Sequence, residues 1–463
     1  MRTEPIARPP EARTRRRRWV RLRSGGRRSR LVFGLVLLVS LGLSFRLLSA
    51  AATTLSFQVT TTTDAHDASP GDGVCADASG HCSLRAAVEE AVAQASGSSI
   101  TILVPAGTFP LKLGVLSLTT NAITIQGANG GATTVDGRNA SQVFNVSSDA
   151  TVTLDRLTIT NGNGGLGGGI ENAGALTVTN STVRSSVAGV GGGAYNLETG
   201  TLALANSRVT QNVAGGNGGG IANNGGTLLV SLSTVSANKA GRAGGGIVNL
   251  FGTATISQST VADNATAGKR SEGGGGIANG DGILTVDRST ISGNATNSSN
   301  GGSAVLNILT TSISNSTISG NTAPDGSGAL LNADTMTLSY VTIASNSFAV
   351  VNTASLTATG TIIADSTGGQ NCFGNRIQEP QGFNLDSGNS CRLSQPTDLT
   401  NTDPLLARLA DNGGATETQA LRAGSPAIDR GGSSGNGCPP IDQRGVSRPQ
   451  GPACDVGAFE VVP

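Results

Sequence analysis

Between Gly167 and Asn352 one phrase returns every 20 to 30 residues, and that return limits the chain to one kind of architecture. The phrase reads Gly-Gly-Gly-Ile-x-Asn. An apolar-alternating run follows it, then Ser-Thr-Val-x-x-Asn. It stands at Gly167–Asn172, Gly191–Asn196, Gly218–Asn223, Gly244–Asn249 and Gly274–Asn279, and fades through Val305–Asn307, Leu330–Asn332 and Val350–Asn352. Its closing asparagines are 24, 27, 26, 30, 28, 25 and 20 residues apart. A unit this small cannot bury its own apolar face and must stack on its neighbours. The chain is therefore read as a solenoid.

Each unit reads as β structure. In Gly244–Ala262, Ile247–Asn249 is one short run, Ala254 and Ile256 mark a second after the turn at Phe251-Gly252-Thr253, and Ser259-Thr260-Val261 opens a third that ends at Asn264. The runs are rich in β-branched residues and bounded by Gly or Asn. No helical period occurs in the repeat. Three short strands per turn, wound into coils about 4.8 Å apart, make a parallel β-helix. Corners between strands need positive φ, which Gly and Asn tolerate best. Asn212, Asn238, Asn264, Asn294, Asn321 and Asn346 each fall three residues after a Val or Ile, which predicts a stacked amide ladder at a constant corner. Glycine makes up 67 of 463 residues without a Gly-X-Y period, so collagen is excluded; 13% charged residues argue against a disordered polyelectrolyte.

The formal charge of +1 conceals an asymmetry. Residues 1–30 hold 12 Arg against Glu4 and Glu11, and Leu31–Phe45 is an apolar run of 15 residues that exits through Arg46 and Leu47–Ala52. This describes a secretory signal, or an uncleaved signal anchor if Arg46 is tolerated within the span. Without residues 1–52 the chain keeps 18 Lys and Arg against 28 Asp and Glu, a net of −10. Nucleic acid is then an unsuitable partner. Contact with a membrane is expected only through the N-terminal hydrophobic segment, with the arginines on the cytoplasmic side.

Six cysteines fall as Cys75 and Cys82, Cys372 and Cys391, and Cys438 and Cys454, all outside the repeats. Fifteen pairings are possible. Separations of 7, 19 and 16 residues favour the three local ones, and an exported chain makes disulfides plausible. Zinc is disfavoured, since there is no Cys-x-x-Cys and His66 and His81 are the only histidines.

A β-helix must cover its open ends. Leu84–Ala95 places Leu84, Ala87, Val88, Ala91, Val92 and Ala95 in one apolar helical stripe, with Ser83 as N-cap and Gly97 as stop. The stretch Cys82-Ser83-Leu84-Arg85-Ala86-Ala87-Val88 resembles the Cys-Ser-Leu-Arg-Glu-Ala-Ile signature of a family of bacterial secreted β-helix proteins. Ala86 stands where that signature has the Glu of a capping box. Near the other end, Asn401–Leu406, Asp411–Gly414, Ala420–Asp429, Asp442–Gly445 and Cys454–Glu460 occur in an order that resembles the choice-of-anchor Q domain of such proteins. The repeats are also similar to those of chlamydial polymorphic outer-membrane proteins, without their barrel. The resemblance covers residues 56 to 460 and implies a surface protein. The sorting tail usual in the family does not follow Val461-Val462-Pro463 here.

The expected fold is an all-β, right-handed, single-stranded parallel β-helix of the pectin-lyase-like kind, with an N-terminal amphipathic helix cap and a disulfide-stapled C-terminal cap. The expected parts are a leader (1–52), an N-terminal cap (53–99), the coils (100–365) and a C-terminal cap (366–463).

Chemistry is sparse. Many parallel β-helices are polysaccharide lyases or hydrolases, but fold alone does not assign activity. Glycoside hydrolysis needs paired carboxylates, and a lyase needs acidic calcium ligands and a base. Asp263 and Asp287 are at different phases of the repeat, as are Glu171 and Glu198; Asp281 and Asp325 read as turn residues. Asp64, Asp67, Asp72 and Asp77 are weak calcium candidates, more simply solvated turns. Asp429, Asp442, Arg444, Arg448, Asp455 and Glu460 read as a salt-bridged end cap rather than a catalytic set. No catalytic residue, cofactor or metal is assigned. A surface rich in Asn, Ser and Thr offers weak contact with glycans or other cells' surfaces, and specificity is expected in Lys239–Arg242, in Gly268–Glu272 or at the capped ends. The reading is a non-catalytic, exported β-helix protein, structural or adhesin-like, released or tethered by its N-terminal segment. The alternative is a polysaccharide lyase or glycoside hydrolase.

Overall fold

Alternation of apolar and polar residues, repeated at one period, puts every second side chain inside a coil and stacks like on like. A computed structural model describes residues 54–463 apart from 269–272, 300, 325–326, 434 and 436. The leader, with Leu31–Phe45, lies outside the described residues, as do Lys269, Arg270, Ser271 and Glu272. The chain is a right-handed parallel β-helix.

Its first sheet has twelve strands, from Thr54–Gln58 to Ser355–Thr359; the second has eleven, from Leu116–Leu118 to Cys372–Gly374; the third has thirteen, from Gly107–Pro110 to Leu399–Thr400. All pairings within them are parallel, and twelve strands at about 4.8 Å make a stack about 50 Å long. The central coils hold four strands per turn, not three. Residues 201–227 show the path: Thr201–Ala205 in the first sheet, Arg208–Thr210 in the third, Val213–Ala214 in a fourth, Ile221–Asn224 in the second, then Thr227 directly opposite Thr201. The fourth sheet has six strands, from Asn163–Leu166 to Ala295–Thr296, most of them only two residues long. Such short strands leave no periodic signature, which is why the sequence suggested three.

The inward positions form one continuous core. In a single coil Leu228, Val230, Val235 and Ile247 are all buried, each stacked on its equivalents above and below. Burying each side chain stabilises the stack by about 1.5–3 kcal/mol before the entropy of ordering is counted. Polar groups at the corners are paired by three buried ladders. Asn212, Asn238, Asn264, Asn294, Asn321 and Asn346 donate amide to carbonyl at 2.9–3.0 Å, as expected. A second amide ladder runs through Asn172, Asn196, Asn223, Asn249, Asn279, Asn307, Asn332 and Asn352 at 2.7–3.1 Å. A third uses the hydroxyls of Ser207, Ser233, Ser259, Ser289 and Ser316, each accepting from the backbone N–H of the serine one coil earlier.

The backbone cost of the corners falls elsewhere than expected. None of the ladder asparagines has positive φ. The left-handed residue precedes the inward Asn: Gln211 (φ 59°), Ala237 (55°), Asp263 (57°) and Ser345 (61°). The ladder amides need inward geometry, so the strained conformation passes to a neighbour that points out.

The glycine phrase also has two duties. Gly218 has φ +67°, and a Cβ there would lie 2.8 Å from the Ala222 Cβ. A Cβ on Gly219 would lie 2.3 Å from the Gly245 carbonyl oxygen. The phrase returns the chain tightly over the outside of the second sheet, where no side chain fits.

The N-terminal end is covered by the helix Leu84–Ala93, two residues shorter than expected. Ser83 caps it, its hydroxyl accepting from the Ala86 N–H at 3.0 Å, and Leu84, Ala87, Val88 and Ala91 enter the main core. The opposite end is closed by residues 366–400, with Cys372, Ile377, Cys391 and Leu393 in the core. The stack thus continues past residue 365, the expected limit of the coils. Residues 404–463 do not close the end. They fold back along the outside of the third sheet, where Leu421, Ala427 and Val456 pack on Ala344, Ile362, Ala364 and Leu385. The three disulfides join Cys75 to Cys82, Cys372 to Cys391, and Cys438 to Cys454.

Candidate functional site

Three broad faces surround the coils, and the chain covers the middle coils of one and the later coils of another. On the second sheet the outward row Tyr195, Ala222, Val248, Ala278 and Leu306 is buried beneath the glycine returns, with Ala243. The fourth sheet and these returns form a fin over it. On the third sheet the C-terminal segment lies across the later coils: the Gln443 side chain accepts from the Thr317 hydroxyl at 2.7 Å and donates to the Thr290 hydroxyl at 3.0 Å, and the Ala458 N–H donates to the Thr342 hydroxyl at 2.9 Å.

The outer face of the first sheet stays open among the described residues. Its strands align without a register shift, so outward side chains form straight rows. The middle row is Ser56, Thr101, Thr124, Thr153, Thr177, Ala203, Leu229, Thr255, Thr285, Ser312, Thr337 and Thr357. The flanking row from Thr54 to Ser355 is again mostly Thr and Ser, broken by Ala122, Ala175 and the exposed Ile283; the row from Gln58 to Thr359 is half Thr and Ser. The face bears no basic and no aromatic residue. Its acids, Asp155 and Asp287, sit in one edge row and are engaged by Asn180 and by Arg288. The sequence signal for this face was the Thr-x-Thr alternation, as in Thr151-Val152-Thr153; the Asn-, Ser- and Thr-rich surface expected from the sequence was not located on one sheet.

The acids singled out from the sequence do not converge. Glu171 stands opposite Tyr195 in the second sheet, so Glu198 is indeed off its register. Asp263 occupies a corner and Asp287 a strand end. Asp325 is outside the described residues. Glu198, Asn224, Gly225 and Phe251 line a shallow depression of about 310 Å³ beside the fin. The exposed Phe251 is its aromatic wall, and the Asn224 amide donates to the Tyr195 hydroxyl at 2.9 Å. Lys239 and Arg242 are exposed on the fin.

The four N-terminal aspartates are separately engaged. Asp64 pairs with the buried Arg85 at 2.8 Å and accepts from the Lys112 and Leu113 N–H groups. Arg85 also donates to the Val115 carbonyl at 3.1 Å. Asp67 accepts from Ser69 and Ala76, and Asp72 from Val74. Asp77 accepts from the His81 N–H and from the Ser79 hydroxyl and N–H, and these bonds, that from His81 first and the Ser79 hydroxyl next, hold its carboxyl below the usual range. Among the described residues no group of three or more His, Cys, Asp or Glu is placed to hold a metal ion.

The C-terminal charged set is brought together on the flank. Asp442 accepts from the Arg444 and Val446 N–H groups and pairs with the Arg444 guanidinium at 2.8 Å. Arg444 lies 3.6 Å from the Phe459 ring centroid. The buried Arg448 donates to the Asp455 and Gly457 carbonyls at 2.9 and 2.8 Å and lies 3.7 Å from Glu460. Glu460 accepts from the Gln450 and Asp455 N–H groups, and Asp455 from Asp429 and Val461. Burial pushes the Asp455 and Glu460 carboxyls up and the Arg448 guanidinium down. Perturbed groups of this kind mark active sites when they face a cleft. Here they face backbone donors and each other, which is what fastens an irregular segment to a sheet.

No family model matches the chain, and no curated protein matches it. Two solved structures are similar. One is the pectate lyase Pel9A, at 17% identity and TM-score 0.47 over 88% of this chain and 97% of that one. The other is a PL6 alginate lyase in complex with a trisaccharide, at 12% identity and TM-score 0.42 over 80% of this chain and 92% of that one.

Proposed function

We propose that the chain is a non-catalytic, exported β-helix protein, a structural or adhesin-like element at the bacterial cell surface or outside the cell. The observation that carries this reading is the open first-sheet face, a repeated array of hydroxyls without an acid–base pair. The buried charged groups support it in a second way, since they hold the covering segments to the coils. Three disulfides fit an oxidising compartment. Among the described residues no helix is long and apolar enough to cross a membrane. On this reading any tether is the N-terminal hydrophobic segment, Leu31–Phe45. Membership of the secreted β-helix family with a Cys-Ser-Leu-Arg-Glu-Ala motif and a choice-of-anchor Q domain belongs to the same proposal. It draws support from Arg85, which locks the N-terminal loop through Asp64, and from Asp442, Arg444 and Asp455, which lock the flank.

The competing reading is a polysaccharide lyase or hydrolase. Its strongest location is the depression at Phe251, an aromatic wall suited to a sugar ring. The lining there holds one carboxylate, Glu198, where hydrolysis uses two. Protease shaving of intact cells, with N-terminal sequencing of the shaved and released forms, tests the proposal. Fragments of residues 54–463 from intact cells or medium are expected; a protein protected until lysis would overturn export.

A further inference from the structure

We propose that the outer face of the first sheet binds ice, adsorbing to a crystal surface through its threonine array. The inference deepens the surface-protein reading and rests on its open hydroxyl face, not on the absence of catalysis.

The first observation is where the open face lies. The fin covers the middle coils of the second sheet and the C-terminal segment covers the third from Thr290 onward, while no segment crosses the outer face of the first sheet, whose middle row is half-buried to exposed along its length. Exposed outward positions recur along it, for example Thr151, Thr253, Thr310 and Thr335.

The second observation is periodicity in two directions. Strands repeat at about 4.8 Å, and outward residues repeat every second position, about 6.7 Å apart along the strand. From Asn172 onward, in the coils that carry the second threonine run, the ladder amides, 2.7–3.1 Å apart from coil to coil, hold that step nearly constant. A periodic rigid surface is matched to a periodic solid, and its order is established in folding rather than at binding. The two repeats are on the scale of the oxygen spacings exposed on hexagonal ice.

The third observation is chemical. A polyanion would need cations and a polycation would need acids, yet the middle row is uncharged and the face has no basic residue. Sugars are held on aromatic platforms, and the face has none. A threonine hydroxyl both donates and accepts, so it can take the place of a lattice water. Its methyl group orders water between the ranks. Ala203 and Leu229 interrupt the middle row and divide it into a run of four threonines, Thr101 to Thr177, and a second run from Thr255 to Thr357. Either run is long enough to span several lattice repeats.

The test compares the full chain with a Thr153→Lys, Thr285→Lys double variant, one substitution in each run. Labelled protein is offered to a slowly growing ice hemisphere, and recrystallisation of ice is followed in the same samples. The full chain is expected in the ice and to arrest grain growth; the double variant is expected to lose both, with its circular dichroism and thermal melt unchanged. Should the lysines disturb folding, Thr153→Val with Thr285→Val keeps the shape without the hydroxyls, and uptake is again expected to fall. Exclusion of the full chain from ice, or equal uptake of both proteins, would overturn the proposal. Retention on cellulose or chitin that the lysines abolish assigns the face to a polysaccharide. A dimer that the lysines abolish assigns it to a second copy. Either result also overturns the ice assignment. Product release from a polysaccharide with ice uptake intact strikes the non-catalytic reading and leaves this one standing; failure of uptake with no product release strikes this one alone.

Discussion

The buried Asn223 side chain donates to the Asn249 side-chain carbonyl at 2.7 Å across 26 residues of sequence. Asn249 in turn donates to Asn279 at 2.8 Å and to the Gly252 carbonyl at 3.1 Å. The ladder therefore pairs side chains and also pins a loop carbonyl in each coil. Asn249→Ala would strand a donor above and an acceptor below, each costing about 1–3 kcal/mol. Because a solenoid loses cooperativity along its length, the loss is local. Hydrogen exchange should show deprotection centred on residues 223–283, with distant coils unchanged.

Arg448 lies 4.9 Å from the Tyr340 ring centroid, and the Tyr340 hydroxyl accepts from the Gly432 N–H at 2.8 Å. This contact fastens the C-terminal flank to the coils. Arg448→Ala leaves Glu460 buried beside an emptied site and is expected to cost about 3–5 kcal/mol. Tyr340→Phe removes one hydrogen bond, about 1 kcal/mol. Limited proteolysis should release residues 404–463 from the first variant while the coils resist, and barely affect the second. Cys438→Ser should act in the same direction through the lost loop closure. Collapse of the whole stack in any of these variants would contradict a separable flank.

Leu232 occupies a corner at φ 48°, where the preceding coils have Asn180 and Asn206. A left-handed conformation costs an ordinary residue roughly 1–2 kcal/mol, and Asn less. Asn206 already donates to Asn180 at 2.8 Å. Leu232→Asn, which also removes an exposed apolar side chain, should raise stability by about 0.5–1 kcal/mol. Chemical denaturation followed by circular dichroism measures it.

Glu379 is buried at the C-terminal end and accepts from the Ser394 N–H at 2.9 Å. Burial first, and then the neighbouring Asp398, pushes its carboxyl above the ordinary 4.5. A raised carboxyl favours the protonated fold. Its contribution is present below 4.5 and is lost as pH rises through the folded value. Glu379→Gln keeps the acceptor and removes the charge. Melts from pH 4 to 8 should show the variant gaining on the parent as pH rises above 4.5; a constant difference would contradict this origin.

The β-helix and one of its ladders were legible because they recur at one period: Asn212 and Asn238 cannot share a phase without stacking. The second amide ladder stood in the repeat phrase itself. The fin was hidden, since strands such as Val213–Ala214 are too short to alternate. The flank left one trace, Ile362-Ile363-Ala364, three apolar residues in a row where a half-exposed strand would alternate. The open face was missed because specificity was sought in the residues that interrupt the repeat. There the repetition, Thr124 after Thr101 and Thr153 after Thr124, is itself the feature.

The central claim is that the chain presents a surface and catalyses nothing. Incubation of the full chain with a panel of acidic and neutral polysaccharides, with and without calcium, tests it most directly. No unsaturated or reducing ends are expected to accumulate. Turnover abolished by Glu198→Gln, or by any single acidic substitution that leaves the fold intact, would contradict it.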